Sequence, residues 1–338
     1  MIMIRLRNSK ALFGLIVMKK LNLRLSVSFL SSLFVTTALM GCNALPSVQV
    51  VPAQLQRAAA SQPKNQTDRY LCSVENREGS AIVKILDLQQ QGVRSVMIPG
   101  RVKNMDGVQS EGKLYVNAIP AGSQDQTIYE VTIQTGQVRR LLSFSQIGLN
   151  TEDFLIQNGK LYAVGVQNHR TTLMSYDFKA YGWQPVVYDF QPGVLQFGNQ
   201  SQDLQVLHFG SGIMTRTMVN LANRQTYSFN YSFNYKAQGT EDYLYSGIIS
   251  RNGRYIFASI NDKIERYQLE DKQVNRLAPI TLPHALPRYV ALSQDGQQLY
   301  ISHNQENRIS RVIFNPDGVT YRIEDLAFPG HHQELAVF

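Results

Sequence analysis

Asn158-Gly159-Lys160-Leu161-Tyr162-Ala163 joins a tight-turn dipeptide to a short apolar strand, and the same device recurs along the chain. It returns as Glu111-Gly112-Lys113-Leu114-Tyr115-Val116, as Asn252-Gly253-Arg254-Tyr255-Ile256-Phe257 and as Asp295-Gly296-Gln297-Gln298-Leu299-Tyr300-Ile301. Asn-Gly and Asp-Gly readily supply the positive φ angles of a two-residue hairpin, so each copy joins two antiparallel strands closely. Less regular copies stand at Asp203-Leu204-Gln205-Val206 and Asp68-Arg69-Tyr70-Leu71. With Leu71, Leu114, Leu161, Leu204, Tyr255 and Leu299 as equivalents, the spacings are 43, 47, 43, 51 and 44 residues.

A second hairpin follows each mark, for example Tyr129-Glu130-Val131-Thr132-Ile133 before Thr135-Gly136, and Met174 to Phe178 before Tyr181-Gly182. Four strands in a unit of about 45 residues, repeated, predict an all-β fold, a β-propeller. Six units are counted. Seven would need shorter blades and a missed turn between Phe190 and Tyr235, where the pattern is weakest. The first unit lacks its opening strand, and Glu334-Leu335-Ala336-Val337-Phe338 is a strand with nothing after it. The C-terminal strand is therefore expected to pair beside Arg69 to Val74 and close the ring, which removes exposed sheet edges.

The run from Pro287-Arg288-Tyr289 through Ser293-Gln294-Asp295-Gly296 to Tyr300-Ile301-Ser302-His303-Asn304 resembles the YVTN-type propeller repeat. It departs in having Gln294 for a proline and Ile301-Ser302-His303-Asn304 for Val-Thr-Asn. The resemblance implies the fold; proteins with this repeat include lactonases, surface-layer proteins and scaffolds, so it leaves function open.

Net charge is +8, from 33 Lys+Arg against 25 Asp+Glu, which alone would suggest an anionic partner. Residues 1–42, however, hold six basic residues and no acidic one, leaving 27 against 25 for the rest. Nothing else points to nucleic acid. From Met18 the chain has a basic start (Lys19, Lys20, Arg24), an apolar run from Leu25 to Leu39, then small residues: the layout of a secretory signal, too short for a comfortable membrane span. Its end, Leu39-Met40-Gly41-Cys42, resembles the lipobox of bacterial lipoproteins. That resemblance implies cleavage before Cys42, lipidation there, and, with Asn43 rather than Asp, an outer-membrane destination. Met18 is the expected true start. The expected organisation is a signal peptide at 1–41, a lipidated flexible tether at 42–68 rich in Pro, Gln and Ser, and the propeller at 69–338. The head is expected to be monomeric, held at the membrane by its lipid, with envelope proteins as partners.

No His-Glu-x-x-His, Gly-x-Ser-x-Gly or Gly-Lys-Ser/Thr loop occurs, so zinc-hydrolase, serine-esterase and nucleotide-hydrolase readings lack their usual support. Topology puts His169, His208, His303 and His331-His332 on one face, where the blade-to-blade connections also lie. The expected lining of the channel mouth there includes Asp106, Glu152, Asp153, Glu241, Asp242, Arg288, His303, Asn304, His331 and His332. In a functional reading Arg288 binds an anionic group and His303 or His332 acts as base. In a structural reading the acidic residues satisfy backbone donors at blade entrances and Arg288 ties blades together. No cofactor is expected. A divalent metal, as in gluconolactonase-like propellers, would need oxygens converging from Glu75, Asn76, Asp153, Asp242 and Asn304.

Cys72 reads as a small core residue, and Trp183, beside Gly182 at a turn, as either a contact site or blade packing. Tyr227-Ser228-Phe229-Asn230-Tyr231-Ser232-Phe233-Asn234-Tyr235 puts five aromatics on one strand face. These would fill a gap between blades or offer a glycan a ladder.

Overall fold

A computed structural model describes residues 68–197, 203–209, 213–232, 244–250, 252–270, 273–284, 286–303, 307–315 and 318–338. Cys42, with the expected signal and most of the tether, lies outside the described residues, as do Glu241, Asp242 and Asn304. No helix among the described residues is long and apolar enough to cross a membrane.

Among the described residues the strands form six four-stranded antiparallel sheets, which replaces the seven-blade alternative. Blade 1 holds β1 (Tyr70–Arg77), β2 (Ser80–Asp87) and β3 (Val93–Pro99). Blade 2 holds β4 (Arg101–Val108), β5 (Lys113–Ile119), β6 (Thr127–Thr132) and β7 (Gln137–Ser143). Blade 3 holds β8 (Asn150–Gln157), β9 (Lys160–Gln167), β10 (Arg170–Asp177) and β11 (Gly182–Tyr188). Blade 4 spans the weakly patterned region with β12 (Val194–Phe197), β13 (Asp203–Phe209), β14 (Ile213–Asn220) and β15 (Thr226–Ser232). Blade 5 holds β16 (Leu244–Ile249), β17 (Tyr255–Ile260), β18 (Lys263–Glu270) and β19 (Gln273–Ile280). Blade 6 holds β20 (Pro287–Leu292), β21 (Gln298–His303), β22 (Arg308–Phe314) and β23 (Tyr321–Ala327). The expected closure is present: β24 (Leu335–Val337) is the inner strand of blade 1 and pairs with β1 as Leu71↔Val337, Cys72↔Ala336 and Ser73↔Leu335.

The hydrophobic core is divided among the blade interfaces. Leu155, Val164 and Leu173 of blade 3 meet Leu195, Leu204 and Val206 of blade 4. Leu71 and Leu335 of blade 1 meet Ala291, Tyr300 and Ile309 of blade 6. Period-two alternation on twisted sheets gives each blade two faces to bury, and stacking blades in a ring buries both. Cys72 is fully buried in the cluster between blades 1 and 2.

Polar side chains stitch each blade to its neighbour, from the inner strand on blades 2 to 5 and from β1 or the residues just before it on blade 1. Asn76 both donates to the Val102 carbonyl (3.1 Å) and accepts from its N–H (2.7 Å), joining blades 1 and 2. Asp106 accepts the Ile156 N–H at 2.6 Å, Asp153 the Leu195 N–H at 2.7 Å, and Gln196 the Ile249 N–H at 3.3 Å. The Ser246 hydroxyl accepts from Val290 N–H at 3.4 Å, and Asp68 from Gln294 N–H at 3.2 Å, which completes the circuit. Bonds from backbone N–H to a carboxylate are each worth about 1.5–3 kcal/mol, more than neutral pairs. These blade-to-blade bonds give a donor on the inner strand of each of blades 2 to 6 a partner that its own sheet does not offer.

Candidate functional site at the channel mouth

The six inner strands surround a cavity of about 570 Å³, lined by residues of every blade. Strand register places its wall residues in tiers. The inner-strand positions opposite Leu71, Leu114, Leu161 and Leu299 are Val337, Gly107, Ile156 and Leu292. Three positions toward the mouth on those strands stand Glu334, Asn104, Asp153 and Tyr289; the same count gives Val194 on blade 4 and Gly247 on blade 5. All six line the cavity. One arc of this tier therefore bears Tyr289, Glu334, Asn104 and Asp153. The opposite arc bears Val194 and Gly247, and the Phe209 ring occupies the space a side chain at 247 would fill.

The arc is electrostatically crowded. Burial raises Asp153 to about 6, countered by the N–H groups of Leu195 (2.7 Å) and Phe154 (2.9 Å) and the Asn104 amide (2.7 Å). One level deeper, burial raises Asp106 to about 7 against the bonds from Ile156 and Gly107. Glu334 is raised well above the usual carboxylate range by burial and then by the charge of Asp153. Its carbonyl accepts from Val74 N–H at 3.3 Å, whereas its carboxyl has no side-chain hydrogen bond among the described residues and remains partly open to the lumen. Burial holds Lys103 below its ordinary value, opposed by Glu152 and Asp153; its ammonium donates to the Thr151 carbonyl at 2.8 Å. Asn104 is 8% exposed and donates to the Glu152 carbonyl and to Asp153, while its Oδ1 is buried without a partner. His208 lines the same wall, with Nδ1 2.7 Å from the Pro192 carbonyl.

The expected bases are placed elsewhere. His303 is fully buried inside blade 6, with Nε2 2.8 Å from the Ser310 hydroxyl, which in turn donates to Asp325 at 3.3 Å. Asp325 also meets His284 at 2.8 Å, and the two histidine rings pack edge to face at 5.4 Å. His303 and Ser310 are sealed from solvent, His284 is partly exposed, and Asp325 borders a separate shallow cleft with Thr281, Leu282 and Pro283. His332 is 4% exposed, stacked on Phe328, with Nδ1 2.8 Å from the Ser73 hydroxyl and Nε2 2.8 Å from the Phe328 carbonyl. Neither histidine lines the channel, because both lie among packed strands where their ring nitrogens serve neighbouring groups.

His331 is exposed beside the closing strand, and Arg288 is half-buried next to Tyr289 at the rim. Trp183 is half-buried and packs on Phe144 (5.6 Å) and Tyr176 (5.1 Å), so the packing alternative describes it. In the aromatic stretch Tyr231 is buried and Phe229 packs into the interface between blades 4 and 5, leaving Tyr227 exposed; Phe233 and Tyr235 lie outside the described residues.

The metal set does not converge among the described residues. Glu75 is held below its usual value by hydrogen bonds from Lys84 and then Arg77, and Asn76 is bound to Val102. No three His, Cys, Asp or Glu side chains among the described residues are placed to share an ion. Glu334, Asn104, Lys103 and Tyr289 were missed as site residues in the sequence; the fixed count of three from each blade's register position could have found all but Lys103, which neighbours Asn104 in the chain.

No protein-family model and no curated protein sequence matches the chain. Solved structures do. TolB from Acinetobacter baumannii superposes with a TM-score of 0.56 at 16% identity, covering 79% of this chain and 66% of that one. A protein from Lactobacillus plantarum gives 0.55 at 7% identity, over 80% and 99% of the two chains. The periplasmic gluconolactonase PpgL from Pseudomonas aeruginosa gives 0.51 at 9% identity, over 79% and 98%. This chain thus spans just under two thirds of the TolB chain. At such identities the likeness establishes the propeller fold.

Proposed function

We propose that the chain is a bacterial envelope lipoprotein, held at the outer membrane by lipid on Cys42, whose monomeric propeller head binds another envelope protein. The anchor rests on the basic-apolar-lipobox order ending at Leu39-Met40-Gly41-Cys42. The binding role rests on one observation: His303 and His332, the bases expected from the sequence, are sealed in packing, while Asp106 and Asp153 hold blades together. Such a mouth is a rigid shaped surface rather than an assembled acid-base pair.

Intact mass of the detergent-extracted protein is expected to match a chain starting at an acylated Cys42; a species that retains Met18 overturns the anchor. Crosslinking in native membranes followed by mass spectrometry is expected to return one reproducible envelope protein joined at mouth residues.

A lactonase-like hydrolase is the second reading, favoured by the uncommitted Glu334 carboxyl in the channel. A monomer that opens a lactone ring and loses that activity on Glu334→Gln would establish it in place of the first.

A further inference from the structure

The collar formed by the tier of Glu334, Asn104, Asp153, Val194, Gly247 and Tyr289 has two chemically different halves. One half is polar: the Glu334 carboxyl lines the lumen with no side-chain hydrogen bond among the described residues, backed by Asn104, whose Oδ1 is buried without a donor. The other is apolar, with Val194 37% exposed to the lumen and the Phe209 ring in place of a side chain at 247. We propose that the collar receives a lysine or arginine side chain from the partner protein, its alkyl stem along Val194 and Phe209 and its cationic head at the Glu334 carboxyl. The proposal rests on the binding reading above.

The charge balance of the tier supports this chemistry. Lys103 interacts with Glu152 and Asp153 and is tethered to Thr151, so the resident cation faces the blade 3 side of the mouth. Glu334 feels burial and the like charge of Asp153, which is the condition of a carboxylate lacking a counter-ion. Arg101 and Arg288 act on Tyr289 from outside the tier, and Arg288 already has a partner, so neither fills the collar. An anion entering the tier would meet Glu334 and Asp153, and a purely apolar group would strip water from the Glu334 carboxyl and leave it unsatisfied, at a cost of about 1–3 kcal/mol. A long stem with a charged end satisfies both halves, because lysine and arginine carry apolar methylenes up to a polar head. Rigid blade-to-blade bonds through Asp153 hold the arc in place before a ligand arrives, which reduces the ordering cost of binding.

The test is isothermal titration of the full-length, detergent-solubilised protein with Nα-acetyl-lysine amide, Nα-acetyl-arginine amide and the uncharged stem analogue Nα-acetyl-norleucine amide. Spermidine serves as the probe for a free amine as the source of the cation. Binding of one or both cationic amides in the millimolar range is expected, with no heat from the norleucine compound. Glu334→Gln is expected to weaken binding on the order of tenfold or more, the loss of a charge-assisted pair. Val194→Phe, which narrows the apolar half and leaves every carboxylate in place, is expected to weaken it as well, and it carries the test should Glu334→Gln fail to fold. Equal binding of norleucine amide, wild-type binding by folded Glu334→Gln, or spermidine binding far tighter than both amides overturns the proposal. The two readings fail separately. A crosslinked partner retained in full by Glu334→Gln removes the basic side chain and keeps the binding module, whereas cationic amides that titrate into a protein with no partner remove the module alone.

Discussion

Phe338→Ala is expected to lower stability by about 3–5 kcal/mol, the cost of truncating a large buried aromatic in a site that cannot collapse around the loss. The ring is 1% exposed and packs 5.9 Å from the Tyr70 ring in the cluster between blades 1 and 2. Its backbone carries the end of the closure: Phe338 N–H donates to Tyr70 at 3.1 Å, and its carbonyl accepts from Arg69 and Tyr70 at 2.9 Å. Gly107 faces the ring so closely that a methyl group there would overlap it. The inner strand of blade 1 is three residues long, and upstream of it the closure is held chiefly by polar bonds such as Gln333 N–H to the Val74 carbonyl at 2.8 Å, so Phe338 supplies the large apolar contact at its end. A propeller that opens exposes two blade faces at once, and the loss is therefore expected to be cooperative. Urea denaturation checks it: the midpoint falls sharply for Phe338→Ala and stays near wild type for Met97→Ala, whose side chain is 67% exposed. Gly107→Ala is expected to destabilise from the opposite side by overpacking, about 1–3 kcal/mol. A Phe338→Ala loss below about 1 kcal/mol would mean that ring closure does not depend on this residue.

The fold was legible because its information is local. Asn158-Gly159 and Asp295-Gly296 each define a hairpin from within a few residues, and six such marks at similar spacing imply a ring. Even the long-range pairing of β24 with β1 was legible, since one unit lacked an opening strand and the chain ended in a spare one. The expected mouth carboxylates were only partly legible. Asp106 and Asp153 were placed on the correct face, and their partners across the blade boundary, Ile156 and Leu195, turn out to be the backbone donors of the structural reading. The histidines failed for a different reason. A residue at a strand end points either to the lumen or into a blade interface, and one step of register decides which. His303 opposes Pro287 across the inner strand pair and turns into blade 6; its partner Ser310 lies on the next strand, a relation that no spacing motif encodes. Glu334 was hidden by its neighbours, because it precedes Leu335-Ala336-Val337 and reads as the polar start of a strand.

His332 makes stability fall in acid, and the sign follows from its contacts. Nε2 faces the Phe328 carbonyl, which can only accept, so this nitrogen carries the proton and Nδ1 accepts from the Ser73 hydroxyl. A second proton has no place, and burial first, then the charges of Lys84 and His331, lower the folded-state value to about 4 from 6.5, against the Phe328 bond. A depressed histidine favours the folded state fully above the unfolded value. Its contribution is lost as the pH falls from about 6.5 to about 4, a total on the order of 3 kcal/mol. Asp106 acts with the opposite sign in an overlapping window: raised to about 7, it favours folding below 3.8 and loses that contribution as the pH rises through 7. The wild-type profile mixes the two, and single variants separate them. His332→Gln keeps an amide donor for Phe328 and does not titrate, so its stability gap to wild type is expected to narrow by about 3 kcal/mol from pH 7.5 to pH 4 in urea titrations. Asp106→Asn is expected to gain on wild type as the pH rises from about 4 to about 8. Parallel curves for His332→Gln and wild type would show that His332 holds its second proton in the folded protein, and the clamp between Ser73 and Phe328 would then need a different hydrogen-bond assignment.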